Sequence, residues 1–180
     1  MRSLVGTLNR HNVRGTFFLT GSWARDNAGM MRYIRSNGHL LANHTANHAK
    51  LTQISDAAVL REIDGGVPAT TAPMLLRPTF GAGAMSKRLV SLAAGKGYKI
   101  CFSTVDSRDW EAHSAQTITR RIVGGDSRSP RAEAGGVVLM HAQRPNTAAA
   151  LPSIIQGLRA RPAARAATRA DTVTSLRQGV

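Results

Sequence analysis

Two histidines separated by three residues form the pattern with the clearest chemical meaning in this sequence. His44 and His48 flank Thr45-Ala46-Asn47, and residues four apart lie about one helical turn from each other. Both imidazoles can therefore face one metal ion, for which histidine nitrogen is a common ligand. A bound metal ion activates water for hydrolysis, so the pair predicts a metal-dependent hydrolase. A zincin-type protease is excluded, because that motif needs glutamate where Thr45 stands.

Further polar residues come directly after predicted apolar strands. In a parallel α/β barrel the carboxyl ends of the strands share one rim, and side chains that follow the strands meet there. Asparagine at position 43, just before the histidine pair, is expected to hydrogen-bond the loop. The sequence predicts one cleft that contains His44, His48, Arg77, Asp109, Trp110 and His141.

Helical and strand patterns alternate at short intervals along the chain, which indicates a parallel α/β architecture. Ser22 and Ser55 are predicted N-caps of two of the helices. Helices are predicted over residues 3–11, 22–36, 55–63, 86–96, 115–123 and 147–159. Strands are predicted over residues 13–19, 39–43, 74–76, 98–105 and 136–140, with a weaker one at 172–176.

Composition narrows the class of protein. A length of 180 residues suits one domain with a real core, and no apolar run is long enough to cross a bilayer. The formal net charge of +14 favours polyanionic partners such as nucleic acid, acidic lipid or wall polymers. The basic residues are scattered and aromatic residues are few, so we expect no nucleic-acid partner. Cys101 lies in an apolar run and is expected to be a buried, inert thiol.

Five segments of the sequence resemble, in order, the motifs of NodB-type polysaccharide deacetylases, which form carbohydrate esterase family four. The second segment has the family's metal motif of histidine, serine or threonine, two variable residues and histidine. The third is similar to its arginine-proline-proline-aromatic-glycine motif, with Thr79 in place of the second proline, and the fourth to its aspartate-tryptophan motif. Any one match is weak, but five in the right order are specific. The segments are 15–21, 44–48, 77–81, 106–110 and 138–141.

This resemblance implies a distorted (β/α) barrel and metal-dependent removal of acetyl groups from a polysaccharide. It implies that His44 and His48 bind zinc or a similar divalent ion, with Co²⁺ and Mn²⁺ as alternatives, and that Thr45 supports their loop. It also implies roles for the remaining residues. Arg77 orients a catalytic carboxylate, the N–H of Phe80 contributes to an oxyanion hole, Asp109 tunes the general acid His141, and Trp110 and Leu139 wall the acetyl pocket.

The front of the chain departs from the family pattern. The family begins with a strand that carries two adjacent aspartates, one the catalytic base and one the third metal ligand, whereas the first carboxylate here is Asp26. We therefore expect an N-terminally truncated barrel, with a catalytic domain at residues 1–160 that lacks its first strand. Residues 161–180 are expected to form an arginine- and alanine-rich tail of low sequence complexity that can fray or remain disordered, apart from one weak strand. Two protein ligands fall one short of the usual catalytic three, so we expect little activity from residues 1–180 alone and place the missing motif upstream.

The sequence leaves several alternatives open. The product could be an inactive glycan-binding pseudoenzyme or a truncated fragment, and the charge leaves a basic nucleic-acid-binding protein as a weaker hypothesis. The family implies secretion or attachment to the cell envelope, although residues 1–15 show no signal peptide. Chitin, chitooligosaccharide, peptidoglycan and acetylated xylan all stay open as substrates, as do N- or O-deacetylation and the oligomeric state.

Overall fold

The computed structural model describes residues 1–81, 86–111, 113–161 and 172–175. The helices of this described part are α1 (Arg2–Arg10), α2 (Gly21–Asp26), α3 (Ala28–Ser36), α4 (Asp56–Asp64), α5 (Lys87–Gly95), α6 (Ala115–Gly124) and α7 (Pro145–Arg159). Its strands are β1 (Gly15–Leu19), β2 (Leu40–Asn43), β3 (Leu75–Leu76), β4 (Lys99–Ile100), β5 (Val105–Asp106), β6 (Val138–His141) and β7 (Thr172–Ser175). Single turns of 3-10 helix lie at Leu51–Gln53, Thr79–Gly81 and Asp109–Glu111.

The chain divides into two compact units. The first comprises residues 1–16 and the described part of 103–175, and the second comprises residues 17–102. The division falls inside β1, a strand that is buried at every position. Such a strand has the continuous apolar character typical of parallel sheets that are covered on both faces.

The second unit contains β1 to β4, whose neighbours in the sheet follow the order β4-β3-β2-β1. The β2–β3 and β3–β4 pairs are parallel, with Asn43 opposite Leu76 and Leu76 opposite Ile100. Parallel strands need crossover connections, and helices supply them here. The apolar faces of α4 and α5 form a core with the strands, made of Leu51, Val59, Ile63, Leu76, Leu89 and Ala93.

The first unit contains the order β7-β6-β5, and both pairs are parallel. Helix α7 packs against α1 and against α6, so one long helix covers two neighbours. Pro145 occupies the first turn of α7, where its missing N–H costs no helical hydrogen bond. The helices bury an apolar set that includes Leu4, Leu8, Ile118, Ile122, Leu151 and Ile154.

The α/β class with parallel strands is confirmed, but two predicted elements are wrong. The predicted strand at 98–105 is two short strands, because β4 pairs with β3 whereas β5 pairs with β6. The predicted helix at 22–36 is interrupted at Asn27, whose side chain donates to the carbonyl of Trp23 at 2.8 Å and competes with the helical backbone. The N-cap is Thr20 rather than Ser22, since its hydroxyl accepts from the Trp23 N–H. The Ser55 cap of α4 is confirmed.

Two further predictions concern the C-terminal tail and the possibility of a membrane-spanning helix. Residues 162–171 and 176–180 of the predicted tail lie outside the described residues, while 172–175 form β7 beside β6. Within the described part of the chain, every helix is too short or too polar to span a bilayer.

The backbone at Gly21 packs closely against the end of α4 in the second unit, and a substitution can test this packing. A Cβ atom at this position would lie 1.8 Å from the carbonyl oxygen of Gly65, at the end of α4. We expect Gly21→Ala to lower the free energy of unfolding by about 1–3 kcal/mol, the usual cost of overpacking, as measured by urea denaturation. The control is Gly95→Ala in α5, where a Cβ meets no atom within 4 Å and where alanine should be neutral or slightly stabilising. Equal stability of the two variants would contradict this packing.

Candidate functional site

His44 and His48 lie in the loop that follows β2, and their rings face each other. The ring centroids are 4.9 Å apart and the ring planes are inclined by 80°. The segment from 44 to 50 is irregular rather than helical, and both Thr45 and His48 have positive φ angles, 71° and 64°. The two rings are nevertheless close enough to contact one metal ion.

The tautomer of His44 follows from its hydrogen bond. Its Nδ1 lies 2.8 Å from the carbonyl oxygen of Arg77, and a carbonyl only accepts, so Nδ1 carries the proton. In the neutral ring the lone pair is therefore on Nε2. This arrangement orients a metal-binding imidazole in many proteins, where a backbone carbonyl holds the nitrogen that does not bind the ion. His44 itself is buried, whereas His48 is half-buried.

Arg77 is buried at the end of β3, next to the end of β2. Its N–H donates to the carbonyl of Asn43 at 2.9 Å, which continues the parallel pairing of β2 and β3. The guanidinium carbon lies 4.9 Å from the ring centroid of Phe18, a geometry in which a cation is attracted to the aromatic face. Nη2 also lies 3.6 Å from the sulfur of Cys101, which is half-buried rather than fully buried as predicted.

Phe80 has a left-handed backbone and an exposed ring. Its φ is 59°, and 48% of the residue is exposed. The ring contacts His48 edge-on at 4.7 Å between centroids, and the ammonium group of Lys50 lies 5.4 Å from the same ring. Thr79, in the position of the family's second proline, donates its hydroxyl to the carbonyl of Ala49. The arginine segment therefore contacts the histidine loop through side chains as well as through its backbone.

In the first unit, Asp109 is a buried carboxylate with three hydrogen-bond donors. Its Oδ1 lies 2.6 Å from Nδ1 of His141, and its Oδ2 accepts from the His141 N–H at 2.7 Å and from the hydroxyl of Thr147. Burial alone would raise the pKa of Asp109, but the hydrogen bonds and the charge of His141 outweigh it and hold the pKa below its usual value. An ionised Asp109 requires a proton on Nδ1 of His141, so Nε2 is the nitrogen that can exchange a proton with a substrate.

The predicted pocket residues, Trp110 and Leu139, lie between Asp109 and His141 along the chain. Trp110 is 48% exposed, and the guanidinium of Arg108 lies 5.6 Å from its ring. Leu139 is half-buried on β6, where it pairs with Asp106. Asp106 is the last residue of β5, and its carboxylate accepts from the N–H of Arg108 in the turn that follows.

Three positioning residues escaped sequence reasoning. Thr147 binds Asp109 from the first turn of α7. Glu62 binds the histidine loop from α4. Arg121, on α6, donates to the carbonyl of Ser107 at 3.0 Å and pairs with Asp126 at 2.6 Å, which fixes the turn before Asp109. Each binds a residue at least 14 positions away in the sequence, so no local sequence pattern indicates the contact.

The predicted site residues divide between the units. His44, His48, Arg77 and Phe80 lie in the second unit, whereas Asp109, Trp110, Leu139 and His141 lie in the first. Each group is ordered by its own hydrogen bonds, and the single cleft stays a prediction.

The donor chemistry of the histidine pair fits a divalent metal ion. Two imidazoles with a fixed tautomer at His44 match the nitrogen ligands that zinc prefers. Among the residues that the structure describes, no group of three or more histidine, cysteine, aspartate or glutamate side chains is arranged to hold a metal. The described residues thus offer two candidate ligands, whereas catalytic zinc sites usually have three protein ligands.

Comparison with known proteins places the chain in a family. The polysaccharide deacetylase family model matches residues 1–101, and the chain therefore belongs to the polysaccharide deacetylase family. It is 32% identical over 161 residues to the peptidoglycan-N-acetylglucosamine deacetylase PgdA of Listeria monocytogenes, covering 87% of this chain and 32% of that protein. It is 26% identical over 141 residues to a chitooligosaccharide deacetylase of Rhizobium leguminosarum, covering 77% of this chain and 63% of that protein. The chain spans less than two thirds of both relatives.

The fold is shared with a solved structure. A family 4 carbohydrate esterase from Streptomyces lividans, in complex with acetate, superposes with a TM-score of 0.74 at 27% identity, covering 95% of this chain and 90% of that chain. The predicted fold, that of the polysaccharide deacetylases, is confirmed. The family model ends at residue 101, so His44, His48 and Arg77 lie inside the matched part and Asp109 and His141 beyond it.

The three donors to Asp109 lead to a prediction about Thr147. We expect Thr147→Val, which removes the hydroxyl at nearly constant volume, to lower the free energy of unfolding at pH 7 by about 1.5–3 kcal/mol, the range for a hydrogen bond to a charged group. Urea denaturation at several pH values measures this loss. Thr147→Ser keeps the hydroxyl and should retain most of the stability.

The sign of the pH dependence follows from the lowered pKa of Asp109. A carboxyl whose folded pKa is depressed stabilises the fold above its unfolded pKa, about 3.9, and loses that contribution as the pH falls through the folded value. The deficit of Thr147→Val should therefore be largest at neutral pH and shrink below about pH 4. A deficit that is independent of pH would contradict the role of this hydroxyl in stabilising the ionised carboxylate.

Proposed function

We propose that the protein is a metal-dependent hydrolase that removes acetyl groups from a polysaccharide containing N-acetylglucosamine. The observation that carries the proposal is the facing pair His44 and His48, with the Nδ1 proton of His44 held by the Arg77 carbonyl. The pair of half-buried His141 and buried Asp109 supports the second chemical requirement, a positioned proton donor. Membership in the polysaccharide deacetylase family supports the reaction class.

The proposed chemistry assigns one task to each group. When bound at His44 and His48, the ion would lower the pKa of water to about 7. The N–H of Phe80 would stabilise the oxyanion of the tetrahedral intermediate. His141, held by Asp109, would give a proton from Nε2 to the departing nitrogen.

Two apolar side chains and one cation complete the proposal. Trp110 and Leu139 would contact the acetyl methyl group, and Arg77 would orient a catalytic carboxylate. Arg77 suits this task, since it is buried and retains its charge at any physiological pH.

We propose peptidoglycan as the main substrate and chitin-like oligomers as the alternative. The named relatives act on each of these polymers, and the Listeria protein is the more similar of the two. The net charge of +14 favours an anionic wall polymer over a neutral one. A substrate of this kind implies action in the cell envelope or outside the cell.

Metal binding tests the proposed ligands directly. We expect His44→Ala and His48→Ala each to lose zinc, measured as metal content after dialysis and by titration with a competing chelator, because each removes one of two described ligands. His11→Ala is the matched control. It also removes an imidazole, but its residue is the C-cap of α1 and only its backbone takes part in described hydrogen bonds. Unchanged zinc content in either ligand variant would rule out the proposed site.

Acetate release tests the reaction. We expect acetate to be released from peptidoglycan or N-acetylglucosamine oligomers, to stop with a chelator and to return with zinc. The assay compares residues 1–180 with the longest product of the reading frame that contains them. Acetate release by the longer product alone would agree with a catalytic base and a third metal ligand that residues outside 1–180 supply. Glycan binding without release by either form would identify a pseudoenzyme and refute the proposal.

A further inference from the structure

Glu62, on α4, reaches back to the loop that carries the histidine pair. One carboxylate oxygen accepts from the N–H of Asn47 at 2.9 Å, and the other accepts from the side-chain amide of Asn47 at 3.0 Å. The Thr45 hydroxyl and the Ala49 N–H also favour the charged carboxylate and so contribute to lowering the pKa of Glu62. Glu62 therefore binds the loop at Asn47, the residue directly before His48.

The loop needs such support because its backbone is strained. Thr45 and His48 have φ angles of 71° and 64°, and left-handed backbone costs a residue other than glycine about 1–3 kcal/mol. The His48 N–H donates to the hydroxyl of Thr45 at 3.1 Å, so these two residues are also bonded to each other. A strained conformation persists only when the surroundings fix it at more than one point.

The first half of the loop is held from a different direction. Buried Asn43 accepts from the Thr45 N–H and donates to the carbonyl of Ile63, both at 2.8 Å. Gly66 leaves room for this side chain, because a Cβ there would lie 2.1 Å from Oδ1 of Asn43. Asn43 thus ties the loop before His44 to the end of α4, and the second half depends on another contact.

The contact between Glu62 and Asn47 lies at the surface rather than in the hydrophobic core. Glu62 is half-buried and Asn47 is exposed, so water could satisfy both groups if the loop moved away. Burial alone would raise the pKa of Glu62, but the bonds from Asn47, Thr45 and Ala49 outweigh it and hold the pKa below its usual value. The carboxylate is therefore charged at neutral pH, and its hydrogen bonds are of the stronger, charge-assisted kind.

We propose that Glu62 is a positioning residue that holds His48 in place opposite His44 and so raises the affinity of the pair for a divalent metal ion. It acts through its two hydrogen bonds from Asn47 and does not itself bind the ion. This inference rests on the proposed metal site. Groups that orient metal ligands from a second layer typically affect metal affinity by about 10–100-fold when they are removed.

Zinc affinity and amide hydrogen exchange together test this role. We expect Glu62→Ala to weaken zinc binding by about 10–100-fold in a chelator competition assay. In the metal-free protein it should also speed exchange of the Asn47 amide, which loses its acceptor. Glu62→Gln keeps one oxygen acceptor and should fall between wild type and Glu62→Ala in both measurements.

The matched control is Asp64→Ala. Asp64 lies on the same helix and pairs with Lys96 at 2.8 Å, so this variant also removes a carboxylate and a surface contact but leaves the histidine loop unchanged. It should bind zinc with wild-type affinity. Circular dichroism of all variants checks that they are folded before affinities are compared.

The outcomes separate this inference from the proposed function. If wild type binds zinc and Glu62→Ala binds it equally well, the positioning role is wrong and the proposed site stands. If Asp64→Ala weakens binding as much as Glu62→Ala, loss of negative charge explains the result and the inference is also wrong. If wild type binds no zinc, the proposed metal site is wrong. If the Asn47 amide also exchanges at the same rate in Glu62→Ala as in wild type, the proposed contact between Glu62 and the loop is wrong as well.

Discussion

The left-handed backbone at Thr45 and His48 is the constraint on which the histidine site depends. A helix would also bring residues four apart together, but here two positive φ angles bring the rings to 4.9 Å. Threonine is branched at Cβ, and a positive φ is rare for such a residue. The cost is offset by hydrogen bonds that the loop N–H groups donate to Asn43 and Glu62 and by the sheet, since the His44 N–H still donates to the carbonyl of Leu19. Strain and support are thus concentrated on one short loop.

In the other unit, the pair of Asp109 and His141 also combines an unfavourable feature with hydrogen bonds that compensate for it. Burying a carboxylate is unfavourable unless hydrogen bonds compensate, and Asp109 has donors from His141 and Thr147 on both oxygens. The result is a charged group whose position is fixed, next to an imidazole whose tautomer is fixed by it. In both places one ring nitrogen of a histidine is held by an oxygen acceptor, a carbonyl for His44 and a carboxylate for His141. This leaves Nε2 in each ring for chemistry.

Sequence patterns predict the parts of this structure that are local. The alternation of helices and strands, the cap at Ser55 and the polar residues after each strand are visible because they depend on neighbours in the chain. Thr147 and Glu62 are invisible, since their partners Asp109 and Asn47 lie 38 and 15 residues away and become neighbours only in the folded chain. The predicted strand at 98–105 fails for the same reason: its apolar run is continuous, but its two ends pair with different strands.

Glu62 differs in its bonding partners from five other acidic residues of the chain. Lysine and arginine number 24 against 10 aspartate and glutamate, so a carboxylate placed without constraint should acquire a basic partner. Asp56, Asp64, Glu111, Asp126 and Glu133 each pair with arginine or lysine. In the described part of the chain, Glu62 forms no ion pair and accepts instead from the backbone and side-chain amides of Asn47 in the histidine loop. Surface ion pairs contribute little stability, so forgoing one at Glu62 costs little. Its hydrogen bonds instead join α4 to the strained histidine loop, and there we expect their main effect.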